Sequence, residues 1–204
     1  AKLGIMVACL ALVLCTGIAA NAIRSNATAG SFTMDVNPSV EYTIAKSGVV
    51  KNVRCLNSDA ENALSDVALG KQSVETALTR TVAAYDACGY MENGKATVLI
   101  SFDSRLDANA ELKASLSSEI RKALEQTAAV GTLVFHSELT ENAEVAKIAE
   151  EFHVSLGRAD WILTAANKTG LPTDEIARMS LDELLKFQEA SGIVSVSVSK
   201  FISL

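Results

Sequence analysis

Near the start of the chain, apolar and polar residues alternate along two consecutive stretches separated by a proline. The apolar positions of this pattern are Phe32, Met34, Val36, Val40, Tyr42 and Ile44. A period of two is expected of half-buried β-strands. After the turn signal Lys46-Ser47-Gly48, a third strand is predicted from Val49 to Leu56, with Val49, Val53 and Cys55 on one face. These stretches predict an antiparallel meander.

Helical spacing then alternates with further strand signals through the middle of the chain. Small polar residues that favour N-caps precede the helices. The predicted elements are a helix from Asn57 or Ser58 to about Val67, a helix from Ser73 to Cys88-Gly89, a strand from Ala96 to Phe102, an amphipathic helix from Asp107 or Asn109 to Gln126, and a strand from Thr132 to His136. This order predicts an α+β fold in which helices pack on one face of a mixed β-sheet.

The C-terminal part is predicted to be mainly helical. The segments expected beyond the first strand are the α+β domain over 31–140, a helical subregion over 141–190 and an unassigned tail over 191–204. Gly170-Leu171-Pro172 interrupts the helical spacing, and Thr173 is a suitable N-cap for a last helix from Asp174 to Gln188. In the tail, valine alternates with serine, a pattern that fits either an added strand or an appended tail, and we assign this segment no role.

The N-terminal segment is long, apolar and uncharged. Residues 3–23 contain no Asp, Glu, Lys or Arg, and a helix of this length measures roughly 31 Å, close to the ~30 Å hydrocarbon core of a bilayer. We expect a transmembrane helix over residues 1–24 and a small, polar juxtamembrane tether over 25–30. A cleaved signal peptide is the alternative, because Ala20-Asn21-Ala22 fits the small-x-small cleavage pattern, although the apolar run is longer than usual.

Composition and charge narrow the functional classes. The formal net charge is -6 at pH 7 and no Lys/Arg cluster occurs, so nucleic-acid binding is disfavoured. Cys55 and Cys88 lack metal-binding spacing and are compatible with a disulfide or with two free thiols. His136 and His153 lack companion ligands, and we interpret them as surface or partly buried residues. P-loop, dinucleotide and Gly-x-Ser-x-Gly motifs are absent, so we expect no metal and no cofactor.

The feature that carries chemistry is Asn37-Pro38, between the first two predicted strands. Asn-Pro is frequent in turns, and a strand-to-strand turn is the simplest interpretation, with Asn37 extended because a proline follows it. A second interpretation is cleavage, because the Asn37 side-chain amide can attack its own carbonyl carbon, close a succinimide and expel the Pro38 nitrogen. Proline has no N–H, so the backbone attack that leads to deamidation is blocked. Strain plus orientation would be the catalyst.

Three polar residues near the dipeptide are candidates for assisting such a cleavage. Asp35 and Glu41 flank it and would steer or deprotonate the Asn37 amide. Acidic residues on the polar face of a strand are more often merely solvated. A solvated side chain without a catalytic role is therefore the alternative for both Asp35 and Glu41. Ser39 is a weaker candidate, because it lies one residue too far along for its hydroxyl to support an N-to-O shift at this bond.

The motif and the segment after it resemble a known family. The matching stretches are Met34-Asp35-Val36-Asn37-Pro38-Ser39-Val40-Glu41, a strand ending near Gly48, and Val53-Arg54-Cys55-Leu56-Asn57-Ser58-Asp59-Ala60. They resemble the extracytoplasmic domain of RsgI-type anti-sigma factors, transmembrane regulators of an alternative sigma factor in Gram-positive bacteria. The resemblance is clear from Ser31 to about Leu64 and only general beyond it. It implies a single-pass protein of the cell membrane whose main domain is extracytoplasmic and cleaves itself at Asn37-Pro38, a behaviour that resembles that of the self-cleaving SEA domains of animal mucins. The chemistry of the bond then makes the Asn37 side chain the nucleophile.

The resemblance also implies a set of partners. The two fragments would stay paired through strand hydrogen bonds until removal of the strand lets an intramembrane protease act and the sigma factor is released. The sigma-binding domain of such proteins is cytoplasmic and lies outside this sequence. Each chain would be cleaved once, so the protein would not be a turnover enzyme. The alternative is a membrane-tethered or secreted binding module with a structural Asn-Pro turn and a ligand surface around Trp161.

Overall fold

The computed structural model of the chain describes residues 24–91, 96–136, 139, 141–193 and, as a strand, 196–200. The transmembrane helix predicted over 1–24 therefore lies outside the described residues, apart from Arg24. None of the helices in the described part combines the length and the apolar character that crossing a bilayer requires.

A six-stranded mixed sheet forms the centre of the described part, in the order β3-β2-β1-β4-β5-β6. The strands are β1 (Thr28–Asp35), β2 (Ser39–Ala45), β3 (Val50–Cys55), β4 (Ala96–Phe102), β5 (Val130–His136) and β6 (Val196–Lys200). Neighbouring strands are antiparallel, except that β4 and β5 run parallel. A parallel pair needs a crossover connection, and the helix between β4 and β5 forms it. The first strand in the sequence, β1, lies between β2 and β4 and is hydrogen-bonded to both.

Seven α-helices and one 3-10 helix occur in the described residues, in the predicted order. They are α1 (Ser58–Leu64), α2 (Val74–Ala87), α3 (Ala110–Glu125), α4 (Ala143–Phe152), α5 (Leu156–Thr169), α6 (Thr173–Ala177) and α7 (Leu181–Ala190), with the 3-10 helix Ser104–Ala108 before α3. The predicted caps Asn57, Ser73 and Asn109 each accept a hydrogen bond from a first-turn backbone N–H. These caps satisfy backbone donors that have no partner inside the helix.

The helices cover both faces of the sheet, so the prediction of one covered face is wrong. On one face, α2 and α3 pack against a core that includes Met34 and Ile100. On the other face, α4 to α7 pack against Leu99 and Val134. Neighbouring residues of β4 are thus buried on opposite faces, as in strands that are covered on both sides. Trp161 is 2% exposed in the second core, which contradicts its predicted role in a ligand surface.

The first strand is longer at its start and shorter at its end than expected. It begins at Thr28, which pairs with Ala45, so part of the predicted tether over 25–30 belongs to the sheet. It ends at Asp35, and Val36 lies in the following loop, half-buried against the first core.

The third strand begins at Val50, one residue later than predicted. A register shift between Thr43 and Ile44 pairs Ile44 with Val50, and a bulge of this kind re-aims the side chains of the strand. Val50 is accordingly buried, whereas Val49 is 38% exposed. The prediction of Val49 on the apolar face is therefore wrong.

The two cysteines of the described part are free thiols. Cys55 is half-buried at the end of β3, and Cys88 is exposed at the C-cap of α2. Of the two arrangements compatible with the sequence, the structure contains the unpaired one.

The single helix predicted from Asp174 to Gln188 is two helices, α6 and α7. A capping box starts α7: the Glu183 N–H donates to Ser180 Oγ at 3.2 Å, and the Ser180 N–H donates to Glu183 Oε2 at 2.8 Å. Such a box stabilises a new helix start. Beyond α7, the segment 196–200 forms β6 against β5, so the added strand is the correct interpretation of that part of the tail.

Candidate functional site

The predicted site is a three-residue loop at the tip of the β1–β2 hairpin. Asp35 and Ser39 form the last paired position before the loop. Within the loop, the Val36 N–H donates to the Pro38 carbonyl oxygen at 2.9 Å. The Asn37 residue is exposed and Pro38 is buried. The peptide bond that joins them therefore lies at the boundary between solvent and the protein interior.

Asn37 has an unusual backbone conformation. Its φ is 80°, in the left-handed region, whereas a residue before proline usually has φ near about −120°. The expectation that Asn37 is extended is therefore wrong. Asn tolerates positive φ better than most residues, but a conformation of this kind still costs about 1–3 kcal/mol and persists only where the surrounding structure imposes it. The two paired strands on either side of the loop impose it here.

Asp35, at the base of the loop, is completely buried. Its Oδ2 accepts hydrogen bonds from Ser155 Oγ at 2.6 Å and from Thr33 Oγ1 at 3.3 Å. Its Oδ1 has no hydrogen-bond partner among the described residues. Burial raises the pKa of Asp35, and the hydrogen bond from Ser155, the neighbouring Ser39 hydroxyl and the charge of Arg158 oppose that shift. This carboxyl is thus a buried group that retains its proton more strongly than usual, and not a solvated one.

The partner of Asp35 comes from the start of α5. Ser155 caps this helix, because its Oγ accepts the Arg158 N–H at 3.0 Å while its hydroxyl donates to Asp35. Gly157 permits the close approach of the helix to the sheet, since a Cβ there would lie 1.8 Å from Ser101 Oγ on β4. The N-terminus of α5 therefore lies directly against the strands next to the hairpin.

Glu41 does not share this environment. Its Oε1 accepts a hydrogen bond from Ser31 Oγ at 2.9 Å, and its Oε2 accepts from Arg54 Nε at 2.9 Å and lies 2.8 Å from Arg54 Nη2. Ser31 lies in the middle of β1, four positions before the last residue of the strand. Both carboxylate oxygens are thus bound away from Asn37, and the structure does not bring Glu41 to the loop.

Ser39 lies at the base of the loop, opposite Asp35. It is buried, and its hydroxyl makes no well-formed hydrogen bond among the described residues, although it lies close enough to the Asp35 carboxyl to lower the pKa of that group. Its backbone N–H donates to Asn57 Oδ1 at 3.4 Å, the same oxygen that caps α1. Of the three candidate assisting residues, Asp35 and Ser39 therefore lie together and Glu41 lies apart.

Sequence reasoning missed Ser155 and Arg158. Ser155 is separated from Asp35 by 120 positions. A serine before a helical period is a typical N-cap, so the sequence signals the start of a helix. No local pattern indicates that this helix start contacts β1.

The two histidines occupy structural positions. His136 is buried, and its Nε2 lies 2.8 Å from Asp160 Oδ2 on α5, so its interpretation as a surface or partly buried residue is wrong. His153 ends α4 with a φ of 52°. Within the described ranges, no group of three or more His, Cys, Asp or Glu side chains is placed to hold a metal ion.

Comparison with known proteins places this hairpin in a family. The family model for the anti-sigma factor RsgI-like central domain matches residues 30–164. The chain is similar to anti-sigma-I factor RsgI9 of Acetivibrio thermocellus, with 26% identity over 158 residues that cover 75% of this chain and 22% of that protein. It is also similar to anti-sigma-I factor RsgI3 of the same organism, with 26% identity over 165 residues, 75% of this chain and 25% of that protein.

The match has clear limits in length. The chain spans about a quarter of the length of these curated relatives. The matched range nevertheless contains the hairpin loop, the whole of β1 to β5 except the first residues of β1, and the start of α5. Because the family model covers more than half of the chain, this protein belongs to the family of anti-sigma factors with an RsgI-like central domain.

Proposed function

We propose that this chain is the membrane-anchored, extracytoplasmic part of an anti-sigma factor and that it cleaves itself once, between Asn37 and Pro38. The observation that carries the proposal is the positive φ of Asn37 in a loop held between two paired strands. Membership of an anti-sigma factor family supports the regulatory role, and the uncharged segment over residues 3–23 supports the anchor in the cell membrane.

The cleavage is an intramolecular acyl transfer. The Asn37 side-chain nitrogen attacks the Asn37 carbonyl carbon, a five-membered succinimide closes, and the bond from that carbon to the Pro38 nitrogen breaks. Strain of about 1–3 kcal/mol in the ground state is relieved as the bond breaks, and each 1.4 kcal/mol removed from the barrier is worth about tenfold in rate. The exposed position of Asn37 gives water access to the succinimide afterwards.

Asp35 is the best candidate for assisting this reaction. It is buried at the base of the loop, whereas both oxygens of Glu41 are bound elsewhere. Because the leaving Pro38 nitrogen must gain a proton, a carboxyl that keeps its proton is suited to act as a general acid. Ser39, whose hydroxyl is also buried beside the loop, is the second candidate.

After cleavage, β1 would remain in place as the end of the anchored fragment. Its Phe32 and Met34 side chains are almost fully buried and together contribute roughly 3–6 kcal/mol before entropy is subtracted. Its backbone pairs with β2 on one side and with β4 on the other. The two fragments would therefore stay associated without a covalent link.

Removal of β1 would be the signalling event. A pull on the anchored fragment, or a ligand that separates the strands, would shed the rest of the domain and leave a short stub at the membrane. That stub would become the substrate of an intramembrane protease, and the sigma factor would then be released to direct transcription. The sigma factor itself would bind a cytoplasmic part of the protein outside this sequence.

Two variants at one position test the cleavage. Asn37→Ala and Asn37→Gly both lack the attacking amide, and the glycine variant also adopts positive φ without strain. We expect the parent protein to give two fragments on a denaturing gel, with the smaller ending at Asn37 by intact mass. Both variants are expected to stay a single folded chain with the circular dichroism of the parent.

The alternative function is a membrane-tethered or secreted binding module in which Asn-Pro is a structural turn. The hydrogen bond from the Val36 N–H to the Pro38 carbonyl oxygen favours a well-formed turn. If the parent protein remains one chain after prolonged incubation at neutral pH, this alternative replaces the cleavage proposal. Unfolding of the Asn37→Gly variant would point in the same direction.

A further inference from the structure

We propose that Ser155, the N-cap of α5, is a positioning residue for cleavage at Asn37-Pro38, because it holds the Asp35 carboxyl at the base of the loop. This inference rests on the proposed self-cleavage. It assigns a role in the reaction to a residue of the helical subregion, far from the hairpin in sequence, and it makes the docking of α5 a condition for cleavage.

The geometry at Ser155 has two directed contacts. The hydroxyl donates to Asp35 Oδ2 at 2.6 Å, and the same oxygen accepts the Arg158 N–H at 3.0 Å. The acceptor contact fixes where Ser155 Oγ lies, and its proton is then directed at the carboxyl. Both residues are buried, so water does not compete for the contact.

The contact leaves one carboxyl oxygen available. Ser155 binds Oδ2, while Asp35 Oδ1 is buried without a partner among the described residues. A proton on Oδ1 removes the cost of burying an unpaired carboxylate oxygen. Besides Ser155, the groups that act on the Asp35 carboxyl are the hydroxyls of Ser39 and Thr33 and the charge of Arg158 from α5, all of which lower its pKa. The Asp35 charge in turn raises the pKa of the Tyr85 phenol on α2.

The proton balance of the proposed reaction indicates what Asp35 Oδ1 would do. The Asn37 side-chain nitrogen loses one proton when it forms the succinimide, and the Pro38 nitrogen gains one when its bond to carbon breaks. The Asp35 carboxyl can donate its proton to the Pro38 nitrogen and recover one from the Asn37 amide, so that its own charge is restored. Ser155 takes no proton in this scheme and acts only by orienting Asp35.

The test compares three serine variants. Chains made by cell-free translation are collected in urea, so that they start unfolded and uncleaved. They are then diluted into native buffer, and the fraction of cleaved chain is measured over time. Ser155→Ala removes the contact and the cap and is expected to slow cleavage by about tenfold or more. Ser155→Thr keeps a hydroxyl and is expected to stay within about threefold of the parent. Ser73→Ala is the matched control, because it removes the cap of α2, a helix of the same length as α5, without touching Asp35.

The pH dependence of cleavage separates positioning from simple stability. In the parent, the rate should fall as pH rises through the raised pKa of Asp35, because the acid form is lost. The hydrogen bond from Ser155 lowers the pKa of Asp35, so its removal should move the midpoint of the profile to higher pH. Ser73→Ala should leave the midpoint unchanged.

A double-mutant cycle completes the test. Asp35→Asn should cleave slowly with a flat pH profile, and adding Ser155→Ala to it should cause no further loss, because Ser155 acts through Asp35. A Ser155→Ala profile that matches the Ser73→Ala profile in rate and midpoint would overturn this inference and leave self-cleavage intact. Absence of cleavage in the parent would overturn both.

Discussion

Asn37 and Asp35 are separated by one residue and have opposite environments. Asn37 is exposed with a left-handed backbone, and Asp35 is buried with a hydrogen bond from a distant helix. In the proposed cleavage, the first residue would bring a strained bond and a nucleophile, and the second would bring a proton. Glu41, which looks equivalent to Asp35 in the sequence, is instead held by Ser31 and Arg54. Which of the two acidic side chains could assist the proposed cleavage is therefore decided by burial and hydrogen bonding, and not by position in the sequence.

Asp35→Asn is expected to make the free energy of unfolding less dependent on pH. Because the pKa of Asp35 is raised from its ordinary value of 3.8 in the folded protein, its contribution to stability is fully present below that value and is lost as pH rises through the raised pKa. The amide variant has no such loss. Urea unfolding at a series of pH values measures the free energy of unfolding with and without the Asp35→Asn substitution. Both proteins also carry Asn37→Gly, so that each remains a single chain.

The matched control for this prediction is Asp66→Asn, at an exposed position. Equal pH slopes for the parent and the Asp35→Asn protein would contradict the buried, proton-retaining carboxyl described here.

At the scale of elements, the start of α5 is the part of the fold that most directly connects the helices to the hairpin. Ser155 contacts β1, Gly157 lies against β4, and the buried Arg158 donates from Nη2 to the Met179 carbonyl oxygen between α6 and α7. One helix terminus thus joins the sheet to the C-terminal helices. Small residues are required where backbone and sheet approach so closely.

Gly157→Ala is expected to destabilise the protein by about 1–3 kcal/mol, because the added methyl would overpack the contact between α5 and β4. The new Cβ would lie 1.8 Å from Ser101 Oγ and 2.4 Å from Ser101 Cβ. Urea denaturation measures the loss. Gly70→Ala, whose Cβ would meet nothing closer than 3.5 Å, is the control and should change stability little. Recovery of stability when Ser101→Gly is added would confirm the contact, and equal effects of the two alanine variants would refute it.

At the scale of the whole molecule, the position of β1 would decide how the proposed cleavage is related to release of the fragment. In the sheet order β3-β2-β1-β4-β5-β6, this strand separates the β2–β3 pair from the other three strands. Its apolar side chains also fill the first core, where Phe32 stacks on Tyr42 with ring centroids 4.8 Å apart. Loss of β1 would therefore divide the sheet and open the core.

We expect the anchored fragment to leave the cleaved protein only when the whole domain unfolds. With the N-terminal fragment immobilised, the other fragment should appear in the wash over the same urea range in which circular dichroism shows loss of the sheet. The Asn37→Gly chain, which cannot separate, reports unfolding without release. Release at urea concentrations where the sheet signal remains would show that β1 can be removed from an otherwise folded domain.

The sequence alone was informative about local structure and about the place of one dipeptide in it. Strand β4 agrees with its predicted bounds, the caps of α1 to α3 lie where predicted, and Asn37-Pro38 lies in the turn between the first two strands. Alternation and capping depend on residues within a few positions of one another, so a linear pattern records them. Where a local prediction was wrong, a local signal had been overlooked. One helix was predicted where α6 and α7 occur, because the capping box that starts α7 was missed.

Only the tertiary structure decided the surroundings of that dipeptide. The burial of Asp35, the central position of β1 and the helices on both faces of the sheet all depend on contacts between distant segments. Ser155 shows the reason most directly, because a serine that looks like an ordinary cap becomes a partner of Asp35 once α5 docks on the sheet 120 positions away. Such docking depends on the packing of whole elements, which no short stretch of sequence records.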